Sequence, residues 1–122
     1  KALKNEDLEL NDGGQQTRCF TYIDDAIEAF SLINENEKCK NQVFNVGTTN
    51  EVKVADLAEL IVKFTESKSK IIVKSYNEQF GNSYEDISRR VPSINKITKF
   101  TGWKPLTKLE MGLKKTIEFY KN

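Results

Sequence analysis

Histidine is absent from this chain, and cysteine is limited to Cys19 and Cys39. The lack of histidine removes the commonest general base and the commonest metal ligand. The two cysteines have no metal-type spacing and indicate reduced thiols in a cytoplasmic protein, with a disulfide between them as the alternative. Because 19 basic residues stand against 18 acidic ones, no net field attracts nucleic acid or an anionic membrane. The apolar runs are too short to span a bilayer.

Motifs of several common catalytic sites are missing as well. No Gly-x-Gly-x-x-Gly turn follows a predicted strand, so no cradle for dinucleotide phosphates is expected. No tyrosine is followed four positions later by a lysine, since Ala26, Phe80 and Ser88 stand at those positions. A Walker loop, a zinc-ligand spacing and a Gly-x-Ser-x-Gly elbow are also lacking. Nothing in the 122 residues is therefore equipped to act chemically on a bound molecule without help.

Hydrophobic patterning predicts one α/β domain with a few short strands and about four helices. Strands are expected at residues 8–10, 19–22, 42–46 and 71–73, and the last of these is expected to be buried. The strand at residues 19–22 would place the aromatic rings of Phe20 and Tyr22 on one face.

The first helix is expected to begin around Asp24 and Asp25, whose negative charge suits a helix N-terminus. Its apolar residues recur at three- and four-residue spacing and form one stripe of Ile23, Ala26, Ile27, Phe30 and Ile33. A capping or solvated role is favoured for the two acids over acid–base catalysis.

Three further helices are expected downstream. One covers about residues 54–65. A short one follows an N-cap at Ser93 and is closed by Gly102, with Trp103 next to it as a core anchor. The last is capped by Thr107, and its buried face would consist of Leu109, Leu113, Ile117 and Tyr120.

Arginines in two distant segments are the residues best suited to bind an anion. Arg18 stands at the foot of a predicted strand, after the Gly13-Gly14 turn, and its planar guanidinium can present several donors to a phosphate. Arg89 and Arg90 end a stretch without periodicity at residues 75–92, a length that is usually functional or disordered. Brought together, the two segments would form a pocket for a diphosphate or another anion.

Each of these residues also has a purely structural interpretation. Arg18 could pair at the surface with Asp24 or Asp25, and the two downstream arginines could form a solvated basic patch. Tyr84 could stack on a base or a sugar, or could plug the edge of the core.

Four segments, taken in chain order, resemble the extended short-chain dehydrogenases/reductases that act on nucleotide sugars. They are residues 12–25, 43–47, 54–61 and 102–105, and together the resemblance covers nearly the whole chain. Within that family, residues 13–21 and 84–94 look most like the UDP-glucuronate decarboxylases. The resemblance implies a small C-terminal substrate-binding domain that lacks the Rossmann nucleotide-binding core.

The same resemblance implies roles for individual residues. Arg18 and the segment leading into it from Glu9, including Gly14 and Gln16, would line the site for the nucleotide diphosphate. Tyr84 would contact the UDP-sugar. Arg90 would bind near the phosphates or the sugar, at a position that in the decarboxylating subgroup is the proposed proton donor.

Two other positions are informative. Asp25 stands at the position where the family has an acidic residue at the start of a helix. The resemblance implies a structural role for this residue. Glu9 departs from the pattern, because the similar subgroup has a substrate-contacting lysine there. A carboxylate at that position would repel an anionic substrate.

A longer enzyme is implied too. In this family NAD binds to an N-terminal Rossmann domain that carries the glycine motif and the Tyr-x-x-x-Lys pair, and both are absent here. Residues 1–122 are therefore expected to be one substrate-binding domain. The chain begins at Lys1 rather than Met and is expected to be a fragment of that longer enzyme. Alone, the fragment is expected to bind no NAD and to have no turnover. Its expected partners are a UDP-sugar, the missing Rossmann domain and, in the full-length protein, a second copy. The alternatives are a stand-alone module that binds a nucleotide sugar or a protein without catalysis, and an interaction domain with solvated arginines.

Overall fold

The computed structural model describes residues 1–75 and 87–121, which form four helices and four short strands. The strands are β1 (Leu8–Asn11), β2 (Thr17–Cys19), β3 (Glu51–Lys53) and β4 (Ile71–Lys74). The helices are α1 (Ile23–Glu35), α2 (Val54–Thr65), α3 (Asn95–Thr101) and α4 (Leu109–Lys121). Short 3-10 turns cover Ala2–Lys4, Asp12–Gly14 and Glu37–Cys39. The predicted α/β class, with its few short strands and about four helices, is confirmed.

β1 and β4 form a parallel pair in which Leu8 lies opposite Ile71 and Asn11 lies opposite Lys74. The prediction of a strand at residues 71–73 is therefore confirmed, but the prediction that it is buried is wrong. Within the described residues β4 pairs with β1 alone, so it lies at a sheet edge. The side chains of Ile71, Ile72 and Val73 are 37%, 40% and 64% exposed, so the described residues cover this strand only in part.

β2 and β3 form an antiparallel pair in which Thr17 lies opposite Lys53 and Cys19 opposite Glu51. The strand predicted at residues 19–22 is thus displaced towards the N-terminus and ends at Cys19. The chain leaves the ladder because β3 is only three residues long. Beyond it, the Thr21 hydroxyl instead accepts a hydrogen bond from the backbone N–H of Thr48 at 2.9 Å.

Residues 42–46, predicted as a strand, pair with no other strand among the described residues. A strand requires a neighbour to accept and donate its backbone hydrogen bonds, and the described part of the chain supplies none here. Val43 projects into solvent, whereas the Phe44 ring packs edge-on against Phe100 with 5.4 Å between centroids.

The centre of the core is a cluster of Ala29, Ile97 and Trp103, which are 0%, 0% and 2% exposed. The prediction of Trp103 as a core anchor is confirmed, and its indole Nε1–H donates to the Asp25 backbone oxygen at 2.9 Å. Gly102 ends α3 as predicted, with a φ of 76° that favours glycine. Ser93 is not the N-cap of α3, because the helix begins one residue later and is preceded by Ile94.

The apolar stripe expected on α1 faces this core only at its C-terminal end, where Ile33 packs against it. Ile23, Ile27 and Phe30 are 60%, 56% and 63% exposed. The buried face instead carries Asp25 and Ala29. The sequence pattern misassigns the face because an acid is expected to point outwards, whereas here the Asp25 carboxylate is buried with hydrogen-bond partners.

The other helices follow the predictions more closely. α2 spans the predicted residues, and in α4 Ile117 is buried, but Tyr120 is exposed and so does not belong to the buried face as predicted. Thr107 lies two residues before α4, and its hydroxyl donates to Asp25. No helix within residues 1–75 and 87–121 has the length and apolar content needed to cross a lipid bilayer.

Candidate functional site

The Gly13-Gly14 turn fixes the approach to β2. Gly14 is buried with a φ of 64°, and a Cβ on it would lie 2.8 Å from the backbone nitrogen of Ala55. Only glycine allows the turn to pack this closely on the first residues of α2. Two residues later the backbone oxygen of Gln16 accepts a hydrogen bond from the Val54 N–H at 3.1 Å. Gly14 thus allows the turn to approach α2 closely, and Gln16 holds it there through its backbone oxygen.

β2 lies between β3 on one side and residues 88–89 on the other. The Thr17 N–H donates to the backbone oxygen of Ser88 at 2.9 Å, and Thr17 and Arg89 form an isolated parallel bridge. One position further along each segment stand Arg18 and Arg90. The backbone therefore brings together the two arginine-bearing segments that the sequence keeps far apart.

Arg89 is engaged by an acid rather than merely solvated. Its Nε and Nη2 donate to Oε2 of Glu51 at 3.1 and 2.9 Å, although its side chain remains 68% exposed. The other carboxylate oxygen of Glu51 accepts a hydrogen bond from the Thr17 hydroxyl. This hydroxyl and the Arg89 guanidinium hold the pKa of Glu51 below its usual range, so the carboxylate stays charged.

Arg18 is half-buried, and its Nη1 donates to the backbone oxygen of Thr17 at 2.7 Å. The two acids that the sequence offers as its surface partners make other contacts. Asp25 accepts hydrogen bonds from Thr107, and Asp24 lies 4.0 Å from the ammonium of Lys115. The Arg90 side chain is exposed. Tyr84 lies outside the described residues.

Glu9, the departure from the family pattern, has a local counter-charge. The Lys74 ammonium on β4 lies 3.0 Å from its Oε1. That ion pair, together with the charge of Lys1, holds the pKa of Glu9 below its usual range. Because Lys74 offsets the carboxylate, the repulsion of an anionic ligand expected from Glu9 is reduced.

Cys19 lies opposite Glu51 in the ladder and is half-buried. Burial raises the pKa of its thiol, and the neighbouring Glu51 carboxylate raises it further. A thiol with a raised pKa stays protonated and is a poor nucleophile. Cys39 is buried, and both cysteines are free rather than joined in a disulfide.

Sequence reasoning misses two features of this region. Glu51 carries no signal of its role, because its partner Arg89 lies 38 positions further along the chain. The second feature is a cleft of about 590 Å³ between the start of α1, α2 and α4. Its apolar lining includes Phe20, Tyr22, Leu57, Ile61, Leu113 and Phe119.

Residues 1–116 match the family described as GDP-mannose 4,6 dehydratase. The UDP-N-acetyl-alpha-D-glucosaminuronate decarboxylase of Bacillus cytotoxicus is 33% identical over 98% of this chain and 37% of its own length. A UDP-glucose 4-epimerase structure from Thermotoga maritima with UDP-glucose matches 98% of this chain and 36% of that one, with a TM-score of 0.85 and 28% identity. A UDP-glucuronic acid 4-epimerase from Bacillus cereus, in complex with NAD, matches 98% of this chain and 35% of that one, with a TM-score of 0.78 and 23% identity. The chain thus spans about a third of the length of these proteins.

Proposed function

The chain belongs to the GDP-mannose 4,6-dehydratase family of extended short-chain dehydrogenases/reductases, and from that premise we propose that residues 1–122 are the substrate-binding domain of a longer enzyme. That enzyme would be an NAD-dependent epimerase, dehydratase or decarboxylase of nucleotide sugars, like the relatives named above. This domain would bind the diphosphate of a UDP-sugar. The observation that carries the proposal is the bridge between Thr17 and Arg89, which sets the residues before Arg18 and Arg90 side by side.

In this proposal the chain contributes binding and orientation. Arg18 and Arg90 would donate charge-assisted hydrogen bonds to the phosphate oxygens, and such bonds are shorter and stronger than neutral ones. In a decarboxylating enzyme Arg90 would also stand at the position of the proton donor. Tyr84 would contact the sugar. Fixing the sugar in one orientation lowers the entropic part of the reaction barrier.

The glycine turn of this chain offers no cradle for the phosphates of NAD. The chain's one pair of adjacent glycines is packed against α2, and the space next to Gly14 is filled by Ala55. NAD bound to another domain would supply the hydride chemistry. We therefore expect this chain alone to bind no NAD and to have no turnover.

Two surfaces support a role for a further domain. The stripe of Ile23, Ile27 and Phe30 is exposed on α1, and residues 42–46 have the pattern of a strand but no strand partner in the described part of the chain. Large apolar patches on a protein surface commonly mark interaction sites. An NAD-binding domain packed against them would cover the stripe and hydrogen-bond the open strand. The free thiols of Cys19 and Cys39 fit a cytoplasmic location.

Calorimetric titration of UDP and UDP-glucuronate into the chain tests the binding site. Arg18→Ala and Arg90→Ala should each weaken binding by about 1.5–3 kcal/mol, the value of a hydrogen bond to a charged group, or about 10- to 150-fold. Lys99→Ala, which removes an exposed cation on α3, is the matched control and should change little. Equal affinities for all three variants would overturn the diphosphate site. Formation of NADH from NAD and UDP-glucuronate would overturn the expectation of an inactive fragment.

The second candidate is a stand-alone binding module without catalysis. The apolar cleft between α1, α2 and α4 favours it, because the apolar face of an amphipathic helix of a protein partner can lie in such a groove. The coding sequence upstream of Lys1 separates the two candidates. A glycine-rich strand–turn–helix and a Tyr-x-x-x-Lys pair would favour the enzyme, and their absence would favour the module.

A further inference from the structure

The Glu51 side chain links three segments of the chain. Glu51 is the first residue of β3, one of its carboxylate oxygens accepts from the Thr17 hydroxyl of β2, and the other accepts twice from Arg89. In the described residues the backbone adds one isolated bridge between Thr17 and Arg89, in which the Thr17 N–H donates to the Ser88 oxygen. One bridge is a weak attachment, because strands depend on several consecutive pairs.

The geometry of this link suits a role in orientation. An exposed ion pair alone contributes little, since two long side chains must be ordered and solvent screens their charges. Here the Thr17 hydroxyl fixes the carboxylate, and Arg89 donates to it from two nitrogens of its planar guanidinium. Both nitrogens converge on the same oxygen, Oε2, so two contacts rather than one hold the guanidinium in place. Arg90 is the next residue, so its position depends on where Arg89 is held.

We propose that Glu51 is a positioning residue for the anion site: it holds residues 88–90 against β2, so that Arg90 is presented beside Arg18. This inference rests on the proposed function, because the ligand of the two arginines is taken to be a diphosphate.

The sign of the effect distinguishes positioning from simple electrostatics. A carboxylate close to an anion site weakens anion binding through its own field, so Glu51→Gln would tighten binding if charge alone mattered. If Glu51 positions Arg90, Glu51→Gln weakens binding instead. Arg89→Ala is less informative, because loss of a positive charge and loss of positioning both lower the affinity for an anion.

The experiment is a double-mutant cycle with UDP as the titrated probe. Glu51→Gln should weaken binding about 3- to 10-fold in the parent chain but should not weaken it in the Arg90→Ala background, where no Arg90 guanidinium is left to position. A general loss of structure would weaken binding in both backgrounds. Glu110→Gln, which removes an exposed carboxylate on α4, is the matched control and should leave the affinity unchanged.

Amide exchange measured by NMR tests the link without any ligand. The Thr17 N–H, which donates to Ser88, should exchange faster in Glu51→Gln than in the parent chain and in Glu110→Gln. An unchanged exchange rate at the Thr17 N–H would overturn the positioning role, whatever the effect of Glu51→Gln on the affinity for UDP. Tighter UDP binding by Glu51→Gln, or equal weakening in both backgrounds, would overturn it as well. If Arg18→Ala and Arg90→Ala leave UDP binding unchanged while exchange at Thr17 rises, the diphosphate site fails and the link through Glu51 stands.

Discussion

Asp25 accepts two hydrogen bonds from Thr107, one from its backbone N–H and one from its hydroxyl, both at 2.9 Å. The aspartate is buried, and its backbone oxygen accepts the indole N–H of Trp103. These contacts fasten the first turn of α1 to the segment that leads into α4. The structural role implied for this acid by the family resemblance is consistent with them, and an acid–base role is not needed to explain its burial.

Replacing Asp25 with Ala should lower the free energy of unfolding by about 2–4 kcal/mol, because two donors of Thr107 and the space of the side chain are left unfilled. Asp24→Ala is the matched control, since this neighbouring acid is exposed and lies 4.0 Å from its nearest cation, Lys115. That control should change stability by about 0.5 kcal/mol or less. Urea denaturation followed by circular dichroism measures both. Similar losses in the two variants would contradict a structural role specific to Asp25.

Substitutions of Gly14 and Gly102 by alanine allow the cost of a steric clash to be measured apart from the cost of backbone strain. Both glycines have positive φ, of 64° and 76°, but a Cβ on Gly14 would meet Ala55 at 2.8 Å, whereas a Cβ on Gly102 meets no atom within 4 Å. Gly102→Ala should therefore cost about 1–2 kcal/mol of stability, the conformational penalty alone. Gly14→Ala should cost clearly more, because the turn must also move away from α2. Thermal unfolding of the two variants provides the comparison, and a Gly14 variant no less stable than the Gly102 variant would refute the close packing.

Acid should weaken the fold partly through Glu9 and Glu51. The pKa of each is lowered in the folded chain, by the Lys74 ion pair and by the Thr17 hydroxyl respectively. A lowered pKa adds stability above the ordinary glutamate value of about 4.3, and that stability is lost as the pH falls through the lowered pKa. The melting temperature of Glu51→Gln should thus lie below that of the parent chain at pH 7, and the difference should shrink towards pH 3. A difference that stays constant over this range would show that Glu51 titrates alike in both states.

Local patterns predict the parts of the fold that local interactions determine. The bounds of α2 follow from apolar spacing alone. The end of α3 follows from Gly102, which adopts the left-handed conformation that closes a helix. The prediction for Trp103 succeeds because a large aromatic residue beside a turn has few stable places other than the core.

The predictions that fail depend on distant partners. Residues 42–46 have a strand's sequence, but no described strand accepts their hydrogen bonds. The link between Glu51 and Arg89 joins two charges that look solvated in the sequence, and nothing near either one identifies the other. They meet because β2 has β3 on one side and residues 88–89 on the other.

The same limitation affects α1. The sequence pattern predicts that Phe30 lies on the buried face of this helix, whereas in the structure its side chain is exposed. Replacing a phenylalanine in a protein core with alanine lowers the free energy of unfolding by about 3–5 kcal/mol. Phe30 is 63% exposed, so Phe30→Ala should cost well under half of that loss, whereas Ile97→Ala, at a fully buried position in α3, should cost about 2–5 kcal/mol. The Phe30 change should also reduce the binding of an apolar dye to the folded chain, because it removes part of an exposed patch. Chemical denaturation and dye fluorescence test both effects, and a large loss of stability for Phe30→Ala would show that the stripe on α1 is already covered within this chain.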